Sequence, residues 1–136
     1  MADLSITASA VAAVQGATLR QRTSGDTLTQ GQPIYLDTAD SMKGKRTDAD
    51  VAASAVCDGI CLNAASSGQP VLVLVEGNLT LNAVLTTGVG YYVSATAGSI
   101  CLYSDLASGD YVQYIGTATS TTNLEVNIQP TVVAKP

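Results

Sequence analysis

"GVGYYVSATAGSICLY", residues 88–103, contains no charged side chain. Tyr91, Tyr92 and Val93 favour a pleated, half-buried surface, as do Ile100, Leu102 and Tyr103 beyond a small-residue turn. Ala97-Gly98-Ser99 is that turn, its glycine free to take the positive φ a hairpin needs. The stretch therefore predicts a β-hairpin, and its neighbours repeat the habit. Upstream stand "VCDGICLNA", "PVLVLVEG" and "NLTLNAVL"; downstream stand "DYVQYIGTAT" and "NLEVNI", all separated by Gly, Ser, Asn and Asp clusters. Short strands at such close spacing predict a mainly β chain. The expected fold is a small β-sandwich or barrel of short antiparallel strands, with at most one short helix and an extended N-terminal arm.

The first half fits the same pattern. "ATLRQRTSGDTLTQGQPIYLD" predicts strands around 18–23 and 33–36, with a turn at Ser24-Gly25-Asp26. Asp48 to Ala55 supplies the one expected helix, with Thr47 or Asp48 as its N-cap. "GQPIYLD" (31–37) and "GQPVLVL" (68–74) echo each other. A proline at the first residue of a strand costs no ladder hydrogen bond, so the echo reads as shared turn chemistry rather than a true repeat. Residues 1–15 form the expected arm and 16–136 a single β-domain. Leu4, Ile6, Val11 and Val14 are too few to build a separate core, so the arm gains most by pairing with a sheet edge. That edge belongs to its own subunit, a neighbour or a partner.

The chain has 136 residues, a net charge of −5, three cysteines and no histidine, tryptophan or phenylalanine. One domain of this length buries a core without staples. Five of the six basic residues lie between Arg20 and Arg46, interleaved with Asp26, Asp37 and Asp40, which reads as a solvated or ion-pairing face. An acidic, base-poor chain lacks the cations on which phosphate binding depends, so no direct nucleic-acid partner is expected. No run reaches the length of a membrane helix, so no membrane partner is expected either. The start "MADLSITASAVAAV" carries Asp3 and no basic run, so no secretory leader is expected. Between Gly59 and Ser104 the only carboxylate is Glu76, and there is no lysine or arginine. Open sheet edges are usually guarded by charge, so this desert predicts edges covered by neighbours and a homo-oligomer.

Without histidine there is no imidazole base for a serine or cysteine nucleophile. No G-x-S-x-G elbow, phosphate-binding glycine loop or dinucleotide fingerprint occurs, so the chain is expected not to be an enzyme. The acids Asp37, Asp40, Asp48 and Asp50 sit among three basic residues and match no calcium loop. Cys57, Cys61 and Cys101 are an odd number, expected as packed thiols rather than a disulfide framework or a zinc site. No cofactor and no metal are expected. Tyr91, Tyr92, Tyr111 and Tyr114 join Leu4, Ile6, Val11 and Val14 as candidate contact residues, because tyrosine combines an apolar body with a polar tip.

The run "DADVAASAVCDGICLNAASSGQPVLVLVEGNLTL" resembles the capsid decoration (cement) proteins of tailed bacteriophages. The matching residues are Gly59, Ile60, Leu62, Asn63, Ala64, Gly68, Gln69, Val71, Val73 and Gly77. The downstream Tyr-Tyr hairpin, the "DLASGDY" turn and the "IGTATS" strand resemble the closing half of such proteins, so the likeness covers residues 16–128. The three cysteines are not part of it. The resemblance implies a structural virion protein that clamps an expanded shell by bridging neighbouring major capsid proteins. It implies residence on the outer capsid surface after synthesis in the host cytoplasm. A homotrimer is the first expectation and a dimer the second. The alternative is a phage tail or fibre adaptor, or a carbohydrate-binding β-module.

Overall fold

The computed structural model describes residues 3–129 and 132–136. Met1 and Ala2 of the arm, and Pro130 and Thr131 near the end of the domain, lie outside the described residues. In chain order the strands are β1 (Ala12–Ala13), β2 (Thr18–Thr23), β3 (Pro33–Asp37), β4 (Lys43–Arg46), β5 (Gly59–Cys61) and β6 (Pro70–Thr80). They continue as β7 (Gly90–Val93), β8 (Ile100–Cys101), β9 (Tyr111–Val112), β10 (Tyr114–Ala118), β11 (Asn123–Asn127) and β12 (Val133–Ala134). The fold is mainly β, as expected: a curled antiparallel sheet forming a half-barrel, a separate pair β9–β12, and one short helix α1 (Ala52–Ala55). The main sheet runs β4-β3-β5-β6-β11-β10-β7-β8, with β1 and β2 on the other flank of β6. A bridge between Ser24 and Gly44 draws the end of β2 toward β4.

The central element is β6. Its proximal half lies between β2 and β5, and its distal half between β1 and β11. The β2 register slips between Thr18 and Leu19, so Val75 is one extra residue on β6. Such a bulge reverses the alternation of faces. It sends Leu74 and Leu79, five positions apart, into one core with Tyr91, Ile115 and Leu124. Val71 and Val73 enter a second, smaller core with Leu28, Ile34 and Cys61.

Three expectations need correction. Residues 70–80 form one strand rather than two. Gly77, read as a stop, stays inside it at φ +115, and a Cβ there would meet the Ala17 Cα at 2.7 Å. The helix is only Ala52–Ala55, its N-cap is Val51, and no side chain caps it. The Asp48 carboxylate instead accepts the Asp50 N–H, closing a turn that competes with helix. Tyr103 begins a 3-10 turn instead of ending a strand. The desert between Gly59 and Ser104 takes in β5, β6, β7 and β8 and the loops that join them, and the chain covers part of its own border. Leu4 N–H donates to Ile100 C=O along β8, while β4 carries Lys43, Lys45 and Arg46.

The echo at 31–37 and 68–74 is a shared turn. In Thr29–Gln32 and Ser66–Gln69 the fourth N–H donates to the first C=O, and the glutamine Oε1 accepts the first N–H. Gly31 and Gly68 occupy the third position at φ +91 and +90, the place where a type II turn demands glycine. Ala107–Asp110 repeats the device with a carboxylate in place of the amide.

Candidate functional site

The eight expected contact residues fall into distinct environments. Leu4, Ile6 and Val11 are half-buried against the chain's own main core, and Val14 is exposed. The arm is sewn down by polar contacts as well. Ser94 Oγ donates to Asp3 Oδ1 at 2.6 Å, and the Asn82 amide bridges Ser5 C=O and Thr7 N–H at 2.9 Å each. Tyr91 is a core residue: its ring is 2% exposed and its hydroxyl accepts the Thr86 N–H, so it offers no surface to a partner. Tyr111 is half-buried in β9, where it pairs with Ala134.

Tyr92 and Tyr114 do come together, and Tyr103 joins them. Tyr92 on β7 meets Tyr103 edge-on at 5.6 Å between ring centroids, and Tyr114 on β10 at 5.7 Å. Edge-to-face pairs of this kind set the negative ring face against a positive ring edge. The Tyr114 hydroxyl bonds the Thr117 hydroxyl, which holds the ring upright. Lys135 Nζ lies 4.5 Å above the Tyr103 centroid and donates to the Tyr103 and Leu106 carbonyls at 3.1 and 2.6 Å. The result is an aromatic ledge with a shallow groove beside it, lined by Val89, Gly90, Tyr92, Leu102, Tyr103 and Ser104. Tyr103 is 43% exposed. The groove lining carries no formal charge.

A second surface lies on β2 and β6. Leu19 and Leu72 are exposed diagonal neighbours across these strands, because Leu72 pairs with Gln21, two residues beyond Leu19. A shallow depression lined by Gln21, Asn63, Pro70, Val71 and Leu72 continues it. Asn63 is structural: its amide accepts the Leu72 N–H and donates to Ala64 C=O.

A third patch went unread in the sequence, hidden in its most charged region. Met42 and Val56 are exposed at a hollow that they line with Leu36, Ala53, Cys57 and Asp58, and Val51, before α1, is exposed as well. Ser41 and Met42 both hold left-handed backbone, at φ 54 and 60. Glycine or asparagine would take that conformation more cheaply than methionine.

Four of the five basic residues between Arg20 and Arg46 are ion-paired, and Arg20 is not. Arg22 binds Asp58 through two nitrogens at 2.9 and 3.0 Å, Lys45 binds Asp37 and Asp40, and Arg46 binds Asp26. The Lys45 hydrogen bond, helped by the Ala39 N–H, holds the Asp37 carboxyl below the usual range. Asp50 is instead pushed up, first by Asp48, with slight burial and Asp110 adding to it. Among the described residues no group of three His, Cys, Asp or Glu side chains is arranged to hold a metal ion.

All three cysteines are free and buried. Burial pushes the Cys61 and Cys101 thiols up to about 12, and Cys57 is raised as well, by burial first and by Asp58 second. Because the thiolate is the nucleophile, native protein at pH 8 should barely react with a thiol reagent, while unfolded protein should take up three equivalents. Rapid labelling of any cysteine without unfolding would refute the packed-thiol assignment.

One buried polar group was not legible either. Gln113 is fully buried; its Oε1 accepts the Cys57 N–H, and its Nε2 donates to the Tyr114 and Gln129 carbonyls. It ties the segment before β5 to the chain after β11. No family model, no curated protein and no solved structure matches the chain.

Proposed function

We propose that the chain is a structural virion protein that decorates the expanded capsid of a tailed phage. It sits on the outer capsid surface, after synthesis in the host cytoplasm, and bridges neighbouring major capsid proteins as a homotrimer, with a dimer as the second choice. The observation that carries this reading is a pair of separate, largely apolar contact surfaces. One is the Leu19–Leu72 face on β2 and β6, the other the tyrosine ledge on β7 and β10. β7 stands three strands from β6 in the sheet, about 14 Å at the usual strand spacing. A clamp needs two such surfaces. The chain's resemblance to decoration proteins supports the same reading.

Purified protein added to expanded heads that lack it should saturate at a fixed ratio to the shell protein. It should also stay bound at about 1 M salt, where the Debye length falls to about 3 Å and ion pairs fade. Absence of binding at every salt concentration would refute the proposal. The tyrosine ledge favours one alternative, a carbohydrate-binding β-module, since sugars stack on exposed aromatic faces. Glycan binding abolished by Tyr103→Ala, with no capture by heads, would establish that reading instead.

A further inference from the structure

We infer that the outer edge of β2 is a strand-addition site for an extended partner segment that alternates apolar residues with carboxylates. The Ser24 N–H donates to Gln69 C=O at 2.8 Å, and Leu72 C=O accepts from Leu62, on the flank away from β2. In an antiparallel ladder the bonded positions alternate. Arg20 and Arg22 therefore turn their backbone groups toward β6, whereas Leu19, Gln21 and Thr23 turn theirs outward. Thr23 lies beside the Ser24–Gly44 bridge to β4, which leaves the Leu19 N–H and both backbone groups of Gln21 without a backbone partner on the outer flank, while the Leu19 C=O accepts only from the flexible Arg20 side chain. Elsewhere, the β8 edge accepts the Leu4 N–H, and the β4 cations are taken up by Asp26, Asp37 and Asp40, whereas Arg20 on β2 has no carboxylate partner among the described residues.

The side chains give that edge its preference. Among the described residues Arg20 is the one cation held only by its neighbour, donating to Leu19 C=O at 3.2 Å. The other arginines and lysines of the sheet have carboxylate partners, and Lys135 is held by two carbonyls and a ring. Leu19 faces the opposite side of the strand beside exposed Leu72. An added strand thus meets a guanidinium on one face and aliphatic carbon on the other. A second copy of β2 is disfavoured: pairing antiparallel through Leu19 and Gln21 sets the two Arg20 side chains directly opposite, and like charges so placed repel. The inference rests on this edge geometry and not on the capsid reading.

The probes are two blocked eight-residue peptides, one alternating valine with glutamate and one alternating valine with lysine, titrated into the full chain by NMR. The glutamate peptide should shift the Leu19 and Gln21 amides, with the lysine peptide about five- to tenfold weaker. Methylating alternate backbone nitrogens of the glutamate peptide should abolish binding, since the ladder bonds are lost. Arg20→Glu should reverse the preference, and Arg20→Gln should erase it; unchanged spectra elsewhere would confirm that both variants are folded. Equal affinity for the two peptides, no binding, or shifts confined to other strands would overturn the proposal. So would peptide-free, concentration-dependent shifts at Leu19 and Gln21, which would assign the edge to a second copy. Head capture is a separate measurement, so either proposal can fail alone.

Discussion

Gly116→Ala is expected to cost about 3–5 kcal/mol, a large share of the roughly 5–15 kcal/mol that holds a domain folded. Gly116 lies in β10 opposite Val126, beside the irregularity where β10 meets β7. A Cβ there would overlap the Glu125 carbonyl oxygen and come within 3.0 Å of the Val126 Cα. Those are backbone atoms of the adjacent strand, so no rotamer change relieves the clash; β10 and β11 would have to separate. Gly88→Ala is the control. Its φ is +85 and nothing lies within 4 Å, so only the left-handed backbone is penalised, by about 1–2 kcal/mol. Urea titrations of both variants decide the matter. Equal, small shifts in midpoint would mean that β10 is looser than its packing indicates.

Removing residues 1–14 should cost about 2–4 kcal/mol, taking roughly half the full-burial value for each of Leu4, Ile6 and Val11. The same cut strips Ile100 C=O and Asn78 C=O of their donors, Leu4 and Val14, and leaves the Asn82 amide without Ser5 and Thr7. The truncated protein should melt well below the full chain and show faster amide exchange along β8 and distal β6. An unchanged midpoint would mean that the arm only rests on the domain. In that case truncation would act on capture by heads alone.

The local elements were the legible part of this chain. Turn glycines and entry prolines bracket β2, β3 and the hairpin of β7 and β8, and each formed where its β-branched and aromatic residues stand. What the chain text could not display was pairing over distance. Nothing in "TLRQRT" announces a partner fifty residues away, and nothing in "VEGNL" distinguishes a strand end from a bulge. Of the candidate contact residues, Tyr92 and Tyr114 reached a shared surface. Tyr91, one position along the same strand, faces the other way, as strand alternation requires. Tyr103 reads in the sequence as a strand residue, whereas its place beside Tyr92 depends on the 3-10 turn after β8. Gln113 was invisible because its importance lies in three backbone groups remote from it in sequence or hidden in the core.

The position of β6 also governs how the chain comes off the ribosome. Residues 12–23 are made early, yet their hydrogen-bonding partners are residues 70–80, and β6 in turn waits for β11, made more than forty residues later. Until β6 emerges, the nascent first strands have nothing to pair with, and loop closure over such separations is slow. Synthesis therefore runs well past the midpoint before the sheet can assemble around its central strand. A nascent chain stalled before residue 70 should be sensitive to protease along its exposed length, and one released after residue 127 should become resistant in a single cooperative step.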